Sequence, residues 1–409
     1  MNPSPRSSAH VVTLLPFLVA ATLQGGLLAQ SPQATQDLLI TCAALVVAPD
    51  TAITPGVMLV RDGKVAQLGN EIPEEARARA KVCAFDGATI VPGFVLAHST
   101  LGQEQDLAER AVALTPDLLA AEAFDPAGLV LRHLPEHGFT SCVLSPSSTN
   151  VAGGIAALVE PGRVDARSLG SLRIAETYAK FSLIAAARNP ERQPTSLMGA
   201  MDLLRNAFLD AKTGQLTGRE GAAFTAVARG ERRAVVHADT RAEILAALTL
   251  AKELGIEPVI AGAAEACDCV AELAAARAAV ILPPLQPEQR DEQLMLPARL
   301  EQAAILFCFA GSPALARSSA ALAVQNGCSK KAALAALTRT PAALCAAETT
   351  HGSLRRGCDA DFVVFDGDPL DLSSQQLAVY GDGVLLFGTA GTSTDKLADK
   401  RASLQKETL

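Results

Sequence analysis

The chain has 409 residues, 49% apolar and 19% charged, and its 35 basic against 43 acidic side chains leave a net charge of −8. That apolar fraction excludes an intrinsically disordered chain, and the acidic balance argues against a nucleic-acid partner, whose phosphates demand a basic face. The length accommodates one large α/β domain with a smaller companion.

Residues 1–30 read as an export signal. Arg6 supplies a positive start, Val11–Ala21 an apolar stretch, and small residues recur up to Ala29. Thr13 and Pro16 interrupt an apolar core that is short for a bilayer, so no stable membrane span is expected and the protein reads as exported and periplasmic. From Leu39 to Gly69 the pattern alternates in β-formers, and Asp62-Gly63 between two such runs signals a hairpin, because both central residues need positive φ. Asp361–Phe365 and Gly383–Phe387 add strands at the other end. The expectation is a composite β-sandwich domain over 31–88 and 347–389.

The middle, 89–346, alternates short apolar runs (Thr89–Val95, Ser141–Leu144, Ala156–Val159, Ala234–Val236, Pro258–Ile260, Ala279–Leu282, Ile305–Phe309) with Ala/Leu-rich helical stretches. Arg241–Leu254 is the clearest helix, with Ile244, Leu245, Leu248, Ala251 and Leu254 at helical spacing. Such repetition predicts an α/β fold around a parallel sheet, open or closed into a barrel. Residues 390–409 read as a polar tail. Nine cysteines, scattered singly apart from Cys267 and Cys269, suggest buried free thiols rather than a disulfide or zinc framework.

Val91-Pro92-Gly93-Phe94-Val95-Leu96-Ala97-His98-Ser99-Thr100 resembles the entry strand of the amidohydrolase superfamily, where Pro-Gly-apolar-apolar-Asp-x-His-x-His opens a metal-binding barrel. Val236-His237-Ala238-Asp239 with its following helix resembles the ligand-bearing strand of imidazolonepropionase-like members. Gly352-Ser353-Leu354-Arg355-Arg356-Gly357-Cys358-Asp359-Ala360-Asp361 resembles the closing signature. The resemblance spans nearly the whole mature chain. It implies a TIM-like (β/α) barrel over 89–346 with the composite β-sandwich, and a hydrolase of non-peptide C–N bonds that uses one or two metal ions.

Against that pattern, Leu96 stands where an acid is expected, Thr100 where the second histidine belongs, Gly262 or Ala261 where a further histidine belongs, and Gly311 where the catalytic aspartate belongs. A threonine hydroxyl is a poor substitute for an imidazole. His98, His237 and Asp239 remain, enough for one divalent ion, zinc by preference, with an open position. The polar loop after the Ser141–Leu144 run, with Ser147, Asn150, Gly153 and Gly154, sits where barrel enzymes recognise substrate. His133 and His137 flank Pro135 and read as a solvated helix end, and His351 as structural. Two readings follow. One is a pseudoenzyme with a largely lost metal centre and no catalytic residue, binding a small ligand, forming a homodimer or pairing with an active relative. The other is a hydrolase working with a reduced one-metal site.

Overall fold

The computed structural model describes residues 37–163 and 168–392. The export-signal reading of 1–30 lies outside the described residues, as does the tail beyond 392. Among the described residues no helix is long and apolar enough to cross a membrane.

The β-forming ends of the chain meet in one eight-stranded sheet. Leu38–Ala48 pairs antiparallel with Gly56–Arg61 and parallel with Lys81–Pro92. Phe362–Phe365 lies antiparallel on the other side of Lys81–Pro92, followed by Gln376–Gly381 and Val384–Gly388. The expected hairpin joins Gly56–Arg61 to Lys64–Gly69, with φ of 50° at Asp62 and 75° at Gly63. Alternate residues of these strands (Ile40, Met58, Ile90, Phe362, Val364) form a fully buried layer on which Tyr380 stacks against Phe362 at 4.5 Å. Lys81–Pro92 runs through the 88/89 boundary drawn from the sequence, so the sheet passes directly into the middle region. Order also continues past residue 389: Thr392 exchanges backbone hydrogen bonds of 3.0 and 3.1 Å with Ala84, which gives those peptide groups their partners.

The middle region delivers the expected strand–helix alternation. Ala179–Ser182, Ala234–Ala238, Val259–Gly262, Ala279–Leu282 and Phe307–Phe309 are successive parallel neighbours, with Ala152–Ile155 antiparallel at one edge. Phe94–Ser99, Phe139–Leu144, Ala157–Glu160 and Ser171–Ile174 form a separate four-stranded sheet. No hydrogen-bonded ladder joins Phe307–Phe309 to Phe94–Ser99 among the described residues. The Val95 amide donates instead to the Leu337 carbonyl at 2.9 Å, and the entry strand shifts register at Phe94/Val95 and Leu96/Ser99. The architecture is a mixed α/β fold whose middle strands are buried on both faces. Val95, Ala97, Val143, Tyr178, Val235, Val259, Ile281 and Cys308 share one cluster, whereas Phe94, Leu96, Phe181, Val236 and Ile260 belong to the larger core that includes the helices. All nine cysteines are free, and all but Cys267 are buried.

Candidate active site

His98 lies near the end of the entry strand, Lys180 within Ala179–Ser182, His237 near the end of Ala234–Ala238 and Asp239 just beyond it. His237 Nε2 is 3.4 Å from Asp239 Oδ1. Lys180 and His237 act electrostatically on His98, and Asp239 acts on Lys180, which puts the four side chains in one neighbourhood.

A hydroxyl anchors each imidazole. The Tyr178 hydroxyl donates to the Ala97 carbonyl at 3.1 Å, so at 3.0 Å it accepts from His98 Nδ1–H, leaving His98 Nε2 with a free lone pair. Burial, then the neighbouring Lys180 and His237, holds His98 well below the usual imidazole range, so the ring is neutral. His237 Nδ1 is 2.6 Å from Ser148 Oγ, and its Nε2 faces Asp239. Fixing one ring nitrogen while the other faces the site is how a metal-binding imidazole is oriented.

Sequence reasoning missed Lys180. Its residue is 1% exposed and its amine has no hydrogen-bond partner. Burial lowers its pKa to about 7, with Asp239 opposing the shift. The available signal was one charge inside an otherwise apolar run, Tyr178-Ala179-Lys180-Phe181. Asp239 is placed by the helix that follows it. Thr240 and Glu243 form a capping box, and Glu243 Oε2 accepts the backbone N–H of both Asp239 and Thr240 at 3.1 Å. Arg188 holds that buried glutamate at 2.7 Å.

The polar loop reaches His237 through Ser148. Asn150 is buried and occupied, donating to Thr115 Oγ1 at 3.1 Å and accepting from Arg192 at 2.9 Å. The Ser147 amide donates to the Leu107 carbonyl. A Cβ on Gly153 would meet the Ser147 carbonyl at 3.1 Å and the Lys180 stem at 3.8 Å, and Gly154 has φ +117° against Leu118. Gly153 also lines a cavity of about 350 Å³ with Asp106, Glu109, Glu122, Leu118 and Pro146.

The substituted positions do not replace what they lack. The Thr100 hydroxyl donates to Glu104 at 2.6 Å, Leu96 is buried in the larger core, and Gly311 lies beside Pro284. At Gly262, φ is +84°, and a Cβ would fall 2.2 Å from Asp239 Oδ1 and 2.5 Å from His237 Nε2. Glycine thus leaves the His237–Asp239 pair the room it occupies. Among the described residues, His98, His237 and Asp239 do not bring three donor atoms within 4.8 Å of one another; the close pair is His237 with Asp239, at 3.4 Å. His133 pairs with Glu136 at 2.6 Å at an exposed helix end, away from this pocket.

A family model described as "Amidohydrolase family" matches residues 315–386. Among solved structures, an amidohydrolase from Thermotoga maritima MSB8 is similar at 25% identity, over 86% of this chain and 100% of its own, with a TM-score of 0.75. A beta-aspartyl dipeptidase from Fervidobacterium islandicum AW-1, in complex with a beta-Asp-Leu dipeptide, shares the fold at 14% identity, over 87% of this chain and 97% of its own, with a TM-score of 0.54. An A. niger ochratoxinase does so at 16% identity, over 87% and 96%, with a TM-score of 0.50. No curated protein sequence matches.

Proposed function

We propose that this chain is a member of the amidohydrolase superfamily and a hydrolase of carbon–nitrogen bonds other than peptide bonds, working from a reduced site of His98, Lys180, His237 and Asp239 at the mouth of a TIM-like barrel. The observation that carries this reading is the Lys180 amine, buried without a partner. Burying an unpaired amine costs free energy, and such groups concentrate where chemistry uses them.

His98 Nε2, His237 Nε2 and Asp239 would hold one divalent ion only by drawing closer together than they stand here, with zinc favoured by this donor set. When bound, that ion supplies Lewis acidity and an ionised water at neutral pH. The chain's own groups do the rest. Tyr178 and Ser148 orient the two imidazoles. Lys180 is neutral enough near pH 7 to accept the proton of the attacking water and return it to the leaving nitrogen. The acid-lined cavity beside Gly153 favours a small substrate with a cationic group. The export-signal pattern read in the first 30 residues supports a periplasmic location for this activity.

A second reading, a ligand-binding pseudoenzyme that forms a homodimer or pairs with a complete relative, draws on Thr100 facing Glu104 and on Gly311 in place of an acid. Metal content and turnover of a panel of N-acyl and cyclic amides decide between them. Zinc retention with turnover that Lys180→Met abolishes supports the hydrolase. A protein whose zinc content is unchanged by His98→Ala with His237→Ala, and that binds these amides without cleaving them, supports the second reading.

A further inference from the structure

A second buried cluster of charge lies where the four-stranded sheet meets the eight-stranded one. Glu160 ends the strand Ala157–Glu160, Asp361 immediately precedes Phe362–Phe365, and His351 comes from the segment before it. His351 Nε2 is 2.9 Å from Glu160 Oε1 and 4.0 Å from Asp361 Oδ2. One donor atom from each of the three lies within 4.8 Å of the others. A tetrahedral zinc with bonds of about 2.1 Å separates its ligand atoms by about 3.4 Å, between those two distances.

The surroundings leave one position unanswered. Asp359 is satisfied by Lys64 at 2.6 Å and Arg173 at 3.0 Å. Asp382 lies 3.5 Å from Arg173, and Arg173 Nε also bonds Glu160 at 2.9 Å. A carboxylate has lone pairs to spare, so Arg173 leaves Glu160 free to bind elsewhere. Asp361 Oδ1 accepts the Asp382 amide at 2.9 Å, but Oδ2 has no partner on a side chain only 5% exposed.

We propose that Glu160, His351 and Asp361 form a buried structural site for one divalent cation, zinc by its mixed imidazole and carboxylate donors, that ties the two sheets together. The site is separate from the hydrolytic pocket and does not depend on the function proposed for it. The test uses the full chain carrying His98→Ala and His237→Ala, which removes the imidazoles of the other pocket. After equilibration with zinc chloride and exhaustive dialysis, that protein retains about one zinc per chain by mass spectrometry, and chelation lowers its thermal midpoint. Adding Asp361→Asn, which keeps the shape, abolishes retention and makes the midpoint insensitive to chelator. His351→Gln does the same should the Asn variant fail to fold. X-ray absorption at the zinc edge shows one imidazole among oxygen donors. A metal-free parent, or zinc retained equally by both variants, overturns the proposal.

Discussion

An amine held at about 7 when folded and at 10.5 when free makes the folded chain bind fewer protons than the unfolded chain between those values. Wild-type stability therefore rises with pH across that interval, and Lys180 costs most below it. Lys180→Met should stabilise the protein near pH 6, with an advantage that shrinks steadily towards pH 10, as read by urea denaturation of both proteins along the series. A gap independent of pH would mean that Lys180 titrates like a surface lysine. Gly262 is the complementary case. Gly262→Ala places a methyl into the Asp239–His237 pair and forces a side chain onto a positive φ, at a cost of about 1–3 kcal/mol and with loss of metal uptake in this pocket. Ser148→Ala leaves the fold standing but frees His237 Nδ1, and should weaken metal binding about 10- to 100-fold in equilibrium dialysis.

Among elements, the helix Arg241–Leu254 joins local signal to site most directly. Its capping box also positions Asp239, so Thr240→Ala should cost about 1 kcal/mol in chemical denaturation and loosen the carboxylate at the same time. That helix was legible because Ile244, Leu248 and Ala251 fall on one buried face and Thr240 with Glu243 marks its start. The Asp62-Gly63 hairpin was legible because its turn allows few other residues. Ala279–Leu282 was legible as an unbroken apolar run ended by Pro283-Pro284. Ala179–Ser182 was not, because Lys180 and Ser182 break the run that marks a strand buried on both faces. The same lysine that hid the strand is a principal part of the site. Ser148 was passed over for its neighbours because which residue of a loop turns inwards depends on tertiary packing. Glu160 and His351, 191 positions apart, carry no local signal of their meeting.

At the scale of the whole molecule, the chain closes on itself. Its first and last strands share a sheet, and Arg173 reaches from the four-stranded sheet to Glu160, Asp359 and Asp382. Arg173→Met leaves those carboxylates facing one another. The guanidinium is about a third exposed (32%), so we expect a loss on the order of 2–3 kcal/mol rather than the full value of a buried pair, measured as a fall in denaturation midpoint. Lys64 and His351, together with Arg173, hold Asp359 below the usual carboxylate range, although burial opposes them. Its contribution is present above the unfolded value of 3.8 and lost as pH falls through the lower folded value, so acid should part the two sheets early in unfolding.

The glycine beside His237 also bears on how this pocket could change. A relative with histidine at that position cannot be recovered here by restoring the one residue. The space that an imidazole needs at 262 is already filled by Asp239 and His237, and the backbone there has turned into a conformation that side chains resist. Gly262→His alone should therefore take up less zinc than the wild type. Return to a fuller ligand set would require the loop, Asp239 and residue 262 to change together, a step that single substitutions, each harmful alone, do not easily reach. The reduced site is thus held in place by its own geometry, as a ratchet rather than as a slope.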